Sequence, residues 1–289
     1  MLINADLVSS LVADQFPKWG GLLVKPVAKS GWDNRTFKLG FDKLVRLPSA
    51  EQYAPAIAVE QTWLPQLAPK LPVAIPSILG LGKPSRSFPW QWSICDWIEG
   101  ENPERRDASS TLAAQLAEFL IAFHEVPSAN GPLPGERNFH RGGHLSHYNA
   151  QTRTAIKRLS DQSKRDAVTQ LWEEALASDW RHDPVWVHGD FVAGNLLTHD
   201  GSLSGVIDFG QLAVGDPACD LTIAWTFFST LERRSFRDAT QLDQDTWARA
   251  KGWAIWKALI LVTGIVSGPP HLVEDAQRVL SEVLEDHLS

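Results

Sequence analysis

A chain of 289 residues, with 44% hydrophobic and 21% charged residues, is long enough for one large core or two lobes, and its composition excludes extensive disorder. The formal net charge of −7 removes the basic face that non-specific nucleic-acid binding requires. The longest apolar run, Trp253 to Gly268, is interrupted by Lys257 and falls short of a membrane span, so neither nucleic acid nor membrane is an expected partner.

From the N-terminus, "MLINADLVSSLVADQF" carries Asp6 and Asp14 and lacks a basic start and a small-residue cleavage site; it predicts an amphipathic helix rather than a signal peptide. Short strand-like runs follow, "LLVKPVAKSG", "NRTFKLG" and "KLVRLP", separated by turn signals at Gly31-Trp32-Asp33-Asn34 and Gly40-Phe41-Asp42. Between Glu51 and Leu67, Ile57, Leu64 and Leu67 recur at helical spacing in a segment that contains Glu60. "IPSILGLG" and "QWSICDWIEG" read as two more strands, so residues 1–99 predict a small antiparallel sheet with a helix across it. After Gly100 the pattern becomes helical: Ser110 to Glu125 forms a capped amphipathic helix, and a further helix runs through Lys157 and Leu159. The long connection between them, Pro127 to Asn149, is of a length that usually serves binding. Residues 100–289 therefore predict a second, helix-rich lobe, with a cleft between the two. Cys95 and Cys219 lie far apart in apolar surroundings, which fits buried thiols in a reducing, cytoplasmic setting and gives no zinc spacing.

Chemistry concentrates in Val185 to Gly210, "VWVHGDFVAGNLLTHDGSLSGVIDFG". "NLLT" and "LSGVID" are strands joined at Asp200-Gly201, a strong hairpin signal, and their pairing brings Asn195 near Asp208 while the Asp190 loop enters the same end. An amide carbonyl and a carboxylate suit a hard divalent cation such as Mg²⁺, and Asp190 can accept the proton of a hydroxyl attacking a terminal phosphate. The spacing matches H-x-D-x-x-x-x-N followed by D-F-G, the catalytic and metal-binding signature of kinases.

With "SGWDNRTFKLG…LVRLP", "HGDFVAGNLL" and "VIDFGQLAVGDPACDLTIAW", nearly the whole chain resembles the aminoglycoside phosphotransferase family, small-molecule kinases with a protein-kinase-like fold. The resemblance implies an α+β, two-lobe, protein-kinase-like architecture with ATP or GTP as co-substrate and Mg²⁺ as cofactor. It also implies Asp190 as the catalytic base or hydroxyl-orienting residue, with Asn195 and Asp208 as metal ligands. The phosphate-holding cation of the third strand falls on Arg46, with Glu60 as its ion-pair partner and Lys38 in reserve; arginine here departs from the lysine of most kinases. The Gly31–Asn34 turn takes the place of the nucleotide-covering loop, either as a phosphate cradle or as a plain hairpin turn. "ICDWIEG" resembles the hinge, where the backbone at Asp96 and Ile98 would meet the nucleobase, while Trp97 is also readable as core.

Two features point to a small-molecule hydroxyl substrate. Gly189 replaces the arginine of regulated protein kinases, and only seven residues, Gln211 to Pro217, separate Gly210 from Ala218, too few for an activation loop. His188 is expected to hold the loop, and Asp216 and Asp220 to cap and brace the helix that follows. The connection offers Arg137, His140, Arg141, His144, His147 and Tyr148 to the acceptor. Glu274, Asp275, Glu282, Glu285 and Asp286 predict the solvated face of a C-terminal helix, and Trp225, Trp247, Trp253 and Trp256 either line an apolar pocket or form core. The expected particle is a monomer or homodimer. The competing reading is a catalytically silent kinase-fold nucleotide-binding module.

Overall fold

The structure, a computed structural model, describes residues 2–27 and 33–288; Gly31 of the expected nucleotide-covering turn lies outside the described residues. Asn4 caps α1 (Ala5–Gln15), its side chain accepting the Leu7 N–H at 3.0 Å. A helix this short is marginal alone, so its place depends on Val8, Leu11 and Val12, which are buried on one face. β1 (Val24–Pro26), β2 (Asn34–Leu39) and β3 (Lys43–Pro48) precede α2 (Ala54–Leu67), and β4 (Ile78–Gly82) and β5 (Trp92–Asp96) follow it. They form one antiparallel sheet in the order β1-β2-β3-β5-β4.

Alternation along the strands sorts the side chains. Phe37, Leu39, Val45, Leu47, Trp92 and Ile94 join α1 in a first core, whereas Arg46, one residue from both Val45 and Leu47, points to the other face. There α2 lies across the sheet, tied by Gln61 Nε2 to Ser93 Oγ and to the Trp92 carbonyl, each at 3.0 Å, and it carries Glu60. The helix expected from Glu51 begins as a 3₁₀ turn, Glu51–Tyr53, and becomes α-helical at Ala54, with Pro55 in its first turn.

Residues beyond Gly100 build the larger core. α3 (Ser110–Glu125) has the expected bounds and is capped by Ser109, whose Oγ accepts the Leu112 N–H at 3.1 Å. α4 (Asn149–Arg158) and α5 (Gln162–Leu176) lead into β6 (Val185–Val187), β7 (Leu196–His199), β8 (Ser202–Val206) and β9 (Ala213–Gly215). α6 (Ile223–Thr226), α7 (Thr230–Thr240), α8 (Gln244–Val262) and α9 (Pro270–Leu288) complete the chain. α8 is buried nearly all round and packs against α5 and α9. Trp225, Trp247, Trp253 and Trp256 are all buried in this core. The segment after Asp-Phe-Gly is not simply a lead into helix: β9 pairs antiparallel with β6. Among the described residues, no helix is long and apolar enough to cross a membrane. Cys95 and Cys219 are free and buried.

Two stitches join the hinge segment to the β7–β8 hairpin. Glu101 and Thr198 exchange both backbone hydrogen bonds at 2.9 Å, and Asn102 donates its amide to the Gly194 and Leu196 carbonyls at 2.8 Å. The β7–β8 hairpin is thus held against the segment that follows β5.

Candidate active site

The turn after β6 is built around one buried carboxylate. Asp220 accepts the His188 N–H at 2.7 Å and the Gly189 N–H at 2.8 Å. Burial pushes the Asp220 carboxyl up, opposed by those two N–H groups. This corrects the expectation that Asp220 braces the following helix: it braces the catalytic loop, and Asp216 does the capping, accepting the Ala218 N–H at 3.1 Å while it pairs with Arg249 at 2.7 Å. His188 is fully buried. Its Nδ1 accepts the Asp190 N–H at 3.2 Å, which leaves the proton on Nε2 to donate to the Ile207 carbonyl at 3.0 Å. One imidazole therefore fixes the backbone of Asp190 to the residue before Asp208.

Gly189 is explained by its neighbours. Its φ is +80°, and a Cβ there would stand 2.6 Å from the Gln211 carbonyl oxygen, a backbone atom that cannot swing away. Gly189→Ala is expected to cost about 2 kcal/mol, in the range for an imposed left-handed residue. Chemical denaturation of both proteins measures that cost, and an unchanged midpoint would refute it.

Asp190, Asn195 and Asp208 converge. Asn195 Nδ2 donates to the Asp190 carbonyl at 2.9 Å and to its carboxylate at 3.2 Å, and the Asn195 carbonyl accepts the Ile207 N–H at 2.9 Å. The hairpin turn at Asp200 (φ 49°) and Gly201 (φ 76°) starts the pairing, and an irregularity between Leu197 and Thr198 shifts the register by one residue, which puts Ile207 beside Asn195. Asp208 itself sits in the left-handed region, φ 66°, a conformation that Asp tolerates better than most non-glycine residues and that the surroundings must hold in place. Arg46 reaches it across the cleft: Nη2 donates to Asp208 Oδ1 and Nη1 to Glu60 Oε1, both at 2.6 Å. Burial alone would lower the Arg46 pKa, but Glu60 and Asp208 raise it well above its usual value, so the guanidinium stays charged. Burial likewise pushes Glu60 up against the pull of Arg46. The arginine in place of lysine now has a geometric reason: a planar fork bridges two carboxylates at once.

Asp33, which the sequence marked only as part of a turn, enters this field. Its carboxyl is raised by burial and then by Asp208 and Asp190, and Gln211 Nε2 reaches it at 3.5 Å. Asn34, the neighbouring candidate, is buried at the start of β2, 5% exposed. Asp96 spends its N–H and its carboxylate on Ser77, at 3.1 and 2.7 Å, so its main-chain carbonyl is what it can offer a base. Ile98 packs over Gly205 of the hairpin. Lys38, the reserve phosphate contact, lies over the Trp97 ring at 4.1 Å, while the cation on Asp208 is Arg46.

The donor set fits a hard divalent cation. Asn195 Nδ2 is committed to Asp190, which leaves the amide oxygen as its coordinating atom; Asp208 Oδ1 is committed to Arg46, which leaves Oδ2. Burial raises Asp33 most, and Asp208 and Asp190 add to it; the part due to those two carboxylates marks a locally negative field that such an ion would offset.

On the acceptor side, Lys257 Nζ of α8 stands 3.7 Å from Asp190 Oδ1, each side chain 38% exposed. The Pro127–Asn149 connection lies against this region. Arg137 donates to the Gly210 and Leu212 carbonyls at 3.0 and 2.6 Å, which pins the segment after Asp208. Lys257 was visible in the sequence only as one charge interrupting an apolar helix, and its partner, 67 residues earlier in the chain, was not. The α9 face is solvated at Glu274, Asp275 and Glu285, as expected, while Glu282 is clasped by Arg105, Arg233 and Arg278.

A model of the phosphotransferase enzyme family matches residues 24–253. The aminoglycoside 3′-phosphotransferases of Escherichia coli and Salmonella typhimurium are each 31% identical over 156 residues, which is 50% of this chain and 57% of theirs. The chain thus spans little more than half the length of those relatives. In fold it is similar to the GDP complex of an aminoglycoside 2′-phosphotransferase IIIa variant, at a TM-score of 0.77 and 22% identity, with 99% of both chains covered. It is also similar to a macrolide 2′-phosphotransferase of Brachybacterium faecium, at a TM-score of 0.64 and 20% identity, with 96% of this chain and 97% of that one covered. With most of its length matched by the family model, and with that family's fold throughout, the chain belongs to the phosphotransferase enzyme family.

Proposed function

We propose that this protein transfers the γ-phosphoryl group of ATP or GTP to a hydroxyl group of a small molecule. The observation that carries this reading is the convergence of Asp190, Asn195 and Asp208, with Arg46 bridging Asp208 to Glu60. In the reaction, the acceptor oxygen forms a bond to the γ-phosphorus, the bond from that phosphorus to its bridging oxygen breaks, and the nucleoside diphosphate leaves. The acceptor's proton passes to Asp190. Mg²⁺, when held by Asn195 and Asp208, neutralises charge on the nucleotide phosphates. Arg46 holds Asp208 in place and faces the phosphates, and Glu60 keeps Arg46 oriented. The nucleobase lies against the hinge, where the Asp96 carbonyl and the Ile98 main chain meet it, and the start of β2 at Asn34 lies toward the phosphates. The two buried free thiols support a reducing, cytoplasmic setting.

Asp208→Ala tests the nucleotide half of this reading. It is expected to weaken Mg²⁺-dependent nucleotide binding on the order of 100-fold, about 2.7 kcal/mol, in titration calorimetry with ATP and GTP separately. Nucleotide affinity equal to wild type, with Mg²⁺ present, would remove Asp208 from the site. Consumption of nucleotide only in the presence of an acceptor separates the enzyme from a silent binding module.

A further inference from the structure

Three observations bear on what brings the hydroxyl, and each concerns charge. The first is the pair of cations at the mouth of the site. Lys257 Nζ stands 3.7 Å from the Asp190 carboxylate, farther than a closed hydrogen-bonded pair, with a third of its side chain open. The Arg141 guanidinium lies over Trp253 and Trp256, at 5.4 and 5.2 Å from their ring centroids. Its charge is felt at both Asp190 and Lys257. Among the described residues no ion pair joins Arg141 to a carboxylate. Two cations therefore face a single carboxylate, and that carboxylate is occupied with the hydroxyl.

The second observation is how much structure fixes Arg141. The turn that presents it runs through Phe139 and His140, both left-handed at φ 51° and 53°. Non-glycine residues hold that conformation only where the surroundings enforce it. Here Tyr148 Oη donates to the Phe139 carbonyl at 2.7 Å, and fully buried Asn138 donates to the Arg141 carbonyl at 2.8 Å. Tyr148 in turn stacks on Trp256 at 3.7 Å. The strain is concentrated on the residues that aim one guanidinium at the acceptor space.

The third is the fate of the acidic residues that could have received an amine. Glu282 is held by Arg105, Arg233 and Arg278, and Asp286 by Lys251 at 3.0 Å and Arg233 at 3.6 Å. Asp275 pairs with Arg278 at 2.5 Å and Asp216 with Arg249 at 2.7 Å. Glu282, Asp286 and Asp216 are thus paired within the fold, while Glu274, Asp275 and Glu285 lie on the exposed face of α9.

We propose that the acceptor is an anionic hydroxyl compound, whose acidic group is received between Arg141 and Lys257 while its hydroxyl meets Asp190. The inference rests on the phosphotransfer reading and narrows its substrate class. A carboxylate and a phosphate ester share the required chemistry; the planar guanidinium fork accepts either in a bidentate manner. A polycationic acceptor would meet two like charges at the mouth of the site.

The test pairs acceptors of one skeleton that differ in charge. Wild-type protein is assayed for nucleotide consumption with glycerate against glycerol, gluconate against glucitol, and glucose 6-phosphate against glucose, with kanamycin and choline as cationic arms. The expected result is a kcat/KM at least about tenfold higher for the anionic member of a pair. The carboxylate and phosphate arms then identify which acid is received. Arg141→Gln and Lys257→Met are each expected to raise KM for the preferred anion about tenfold or more, with nucleotide affinity as the check that each variant is folded. Preference for kanamycin or choline overturns the proposal, as does a fall in kcat with acceptor KM unmoved, which would assign Lys257 to the transferring phosphate. If no member turns over, calorimetric binding of the same panel to protein loaded with a non-hydrolysable nucleotide decides: anion binding lost in Arg141→Gln supports the proposal, and no anion binding refutes it. Failure of nucleotide binding itself would instead overturn the phosphotransfer reading.

Discussion

Replacing Asp190 by Ala is expected to lower kcat on the order of 10³-fold, the range for loss of a positioned proton acceptor, while nucleotide affinity changes less than about threefold. The separation follows from how the loop is held. The Asp190 carboxylate receives one bond from Asn195 Nδ2, but the same nitrogen also donates to the Asp190 main-chain carbonyl at 2.9 Å, a bond the substitution leaves in place. His188 and Asp220 hold the backbone on either side without using the Asp190 carboxylate. Asn195 and Asp208 therefore keep their positions when the carboxylate goes.

The pH dependence is part of the same expectation. Burial alone would raise the Asp190 pKa; Lys257 and Arg141, with the Asn195 bond, outweigh it and hold the carboxyl below its ordinary 3.8. A folded value below the unfolded one means that Asp190 contributes stability above pH 3.8, lost as pH falls through the folded value. For catalysis, the acid limb of kcat/KM due to Asp190 should lie below the usual carboxylate range, and Lys257→Met should move it upward. So weak a base takes the proton late, once bonding to phosphorus has acidified the hydroxyl, which suits a loose phosphoryl-transfer transition state. Steady-state kinetics of Asp190→Ala, with calorimetric nucleotide binding, checks both halves; full turnover by the variant would sink the assignment.

Much of this site was legible because its parts are local. Gly189, Asp190 and Asn195 lie on one loop, and the Asp200-Gly201 signal announces the hairpin, although the irregularity at Leu197 and Thr198 that brings Asp208 alongside carries no signal of its own. The α3 boundaries follow from the Ser109 cap and an apolar repeat. What stayed hidden depends on contacts across long stretches of chain. Nothing near Asp220 announces that it will cap the turn at His188, 32 residues earlier. Lys257 and Arg141 reach Asp190 from a helix and from a loop whose own spacing carries no motif. The acids of α9 read as a solvated face, which holds for Glu274, Asp275 and Glu285, but periodicity cannot report that arginines from elsewhere will cover Glu282.

Arg46 carries the other large effect, in stability as well as function. Its guanidinium is 7% exposed and bridges Glu60, 1% exposed, to Asp208, 36% exposed. Removing one member of a buried pair leaves an uncompensated charge, so Arg46→Met is expected to destabilise the fold by about 3–5 kcal/mol. Arg46→Lys should cost less but still abolish the bridge, since one ammonium on a flexible stem cannot place parallel donors on two carboxylates. The buried partner supplies a signature that a simple packing defect would lack. Burial already pushes Glu60 above its ordinary 4.5, and without Arg46 that rise is unopposed by its nearest cation. A carboxyl with a raised folded value contributes stability that is present below its unfolded pKa and is lost as pH rises through the folded one. Arg46→Met should therefore recover stability at about pH 5 relative to pH 8, and the double variant Arg46→Met/Glu60→Leu should recover most of it at both. Denaturant titrations of wild type, Arg46→Met, Glu60→Leu and the double variant at the two pH values form a double-mutant cycle that isolates the Arg46–Glu60 coupling. A loss in Arg46→Met that does not change with pH would show that the lost contact is packing and that Glu60 is not left as a stranded charge.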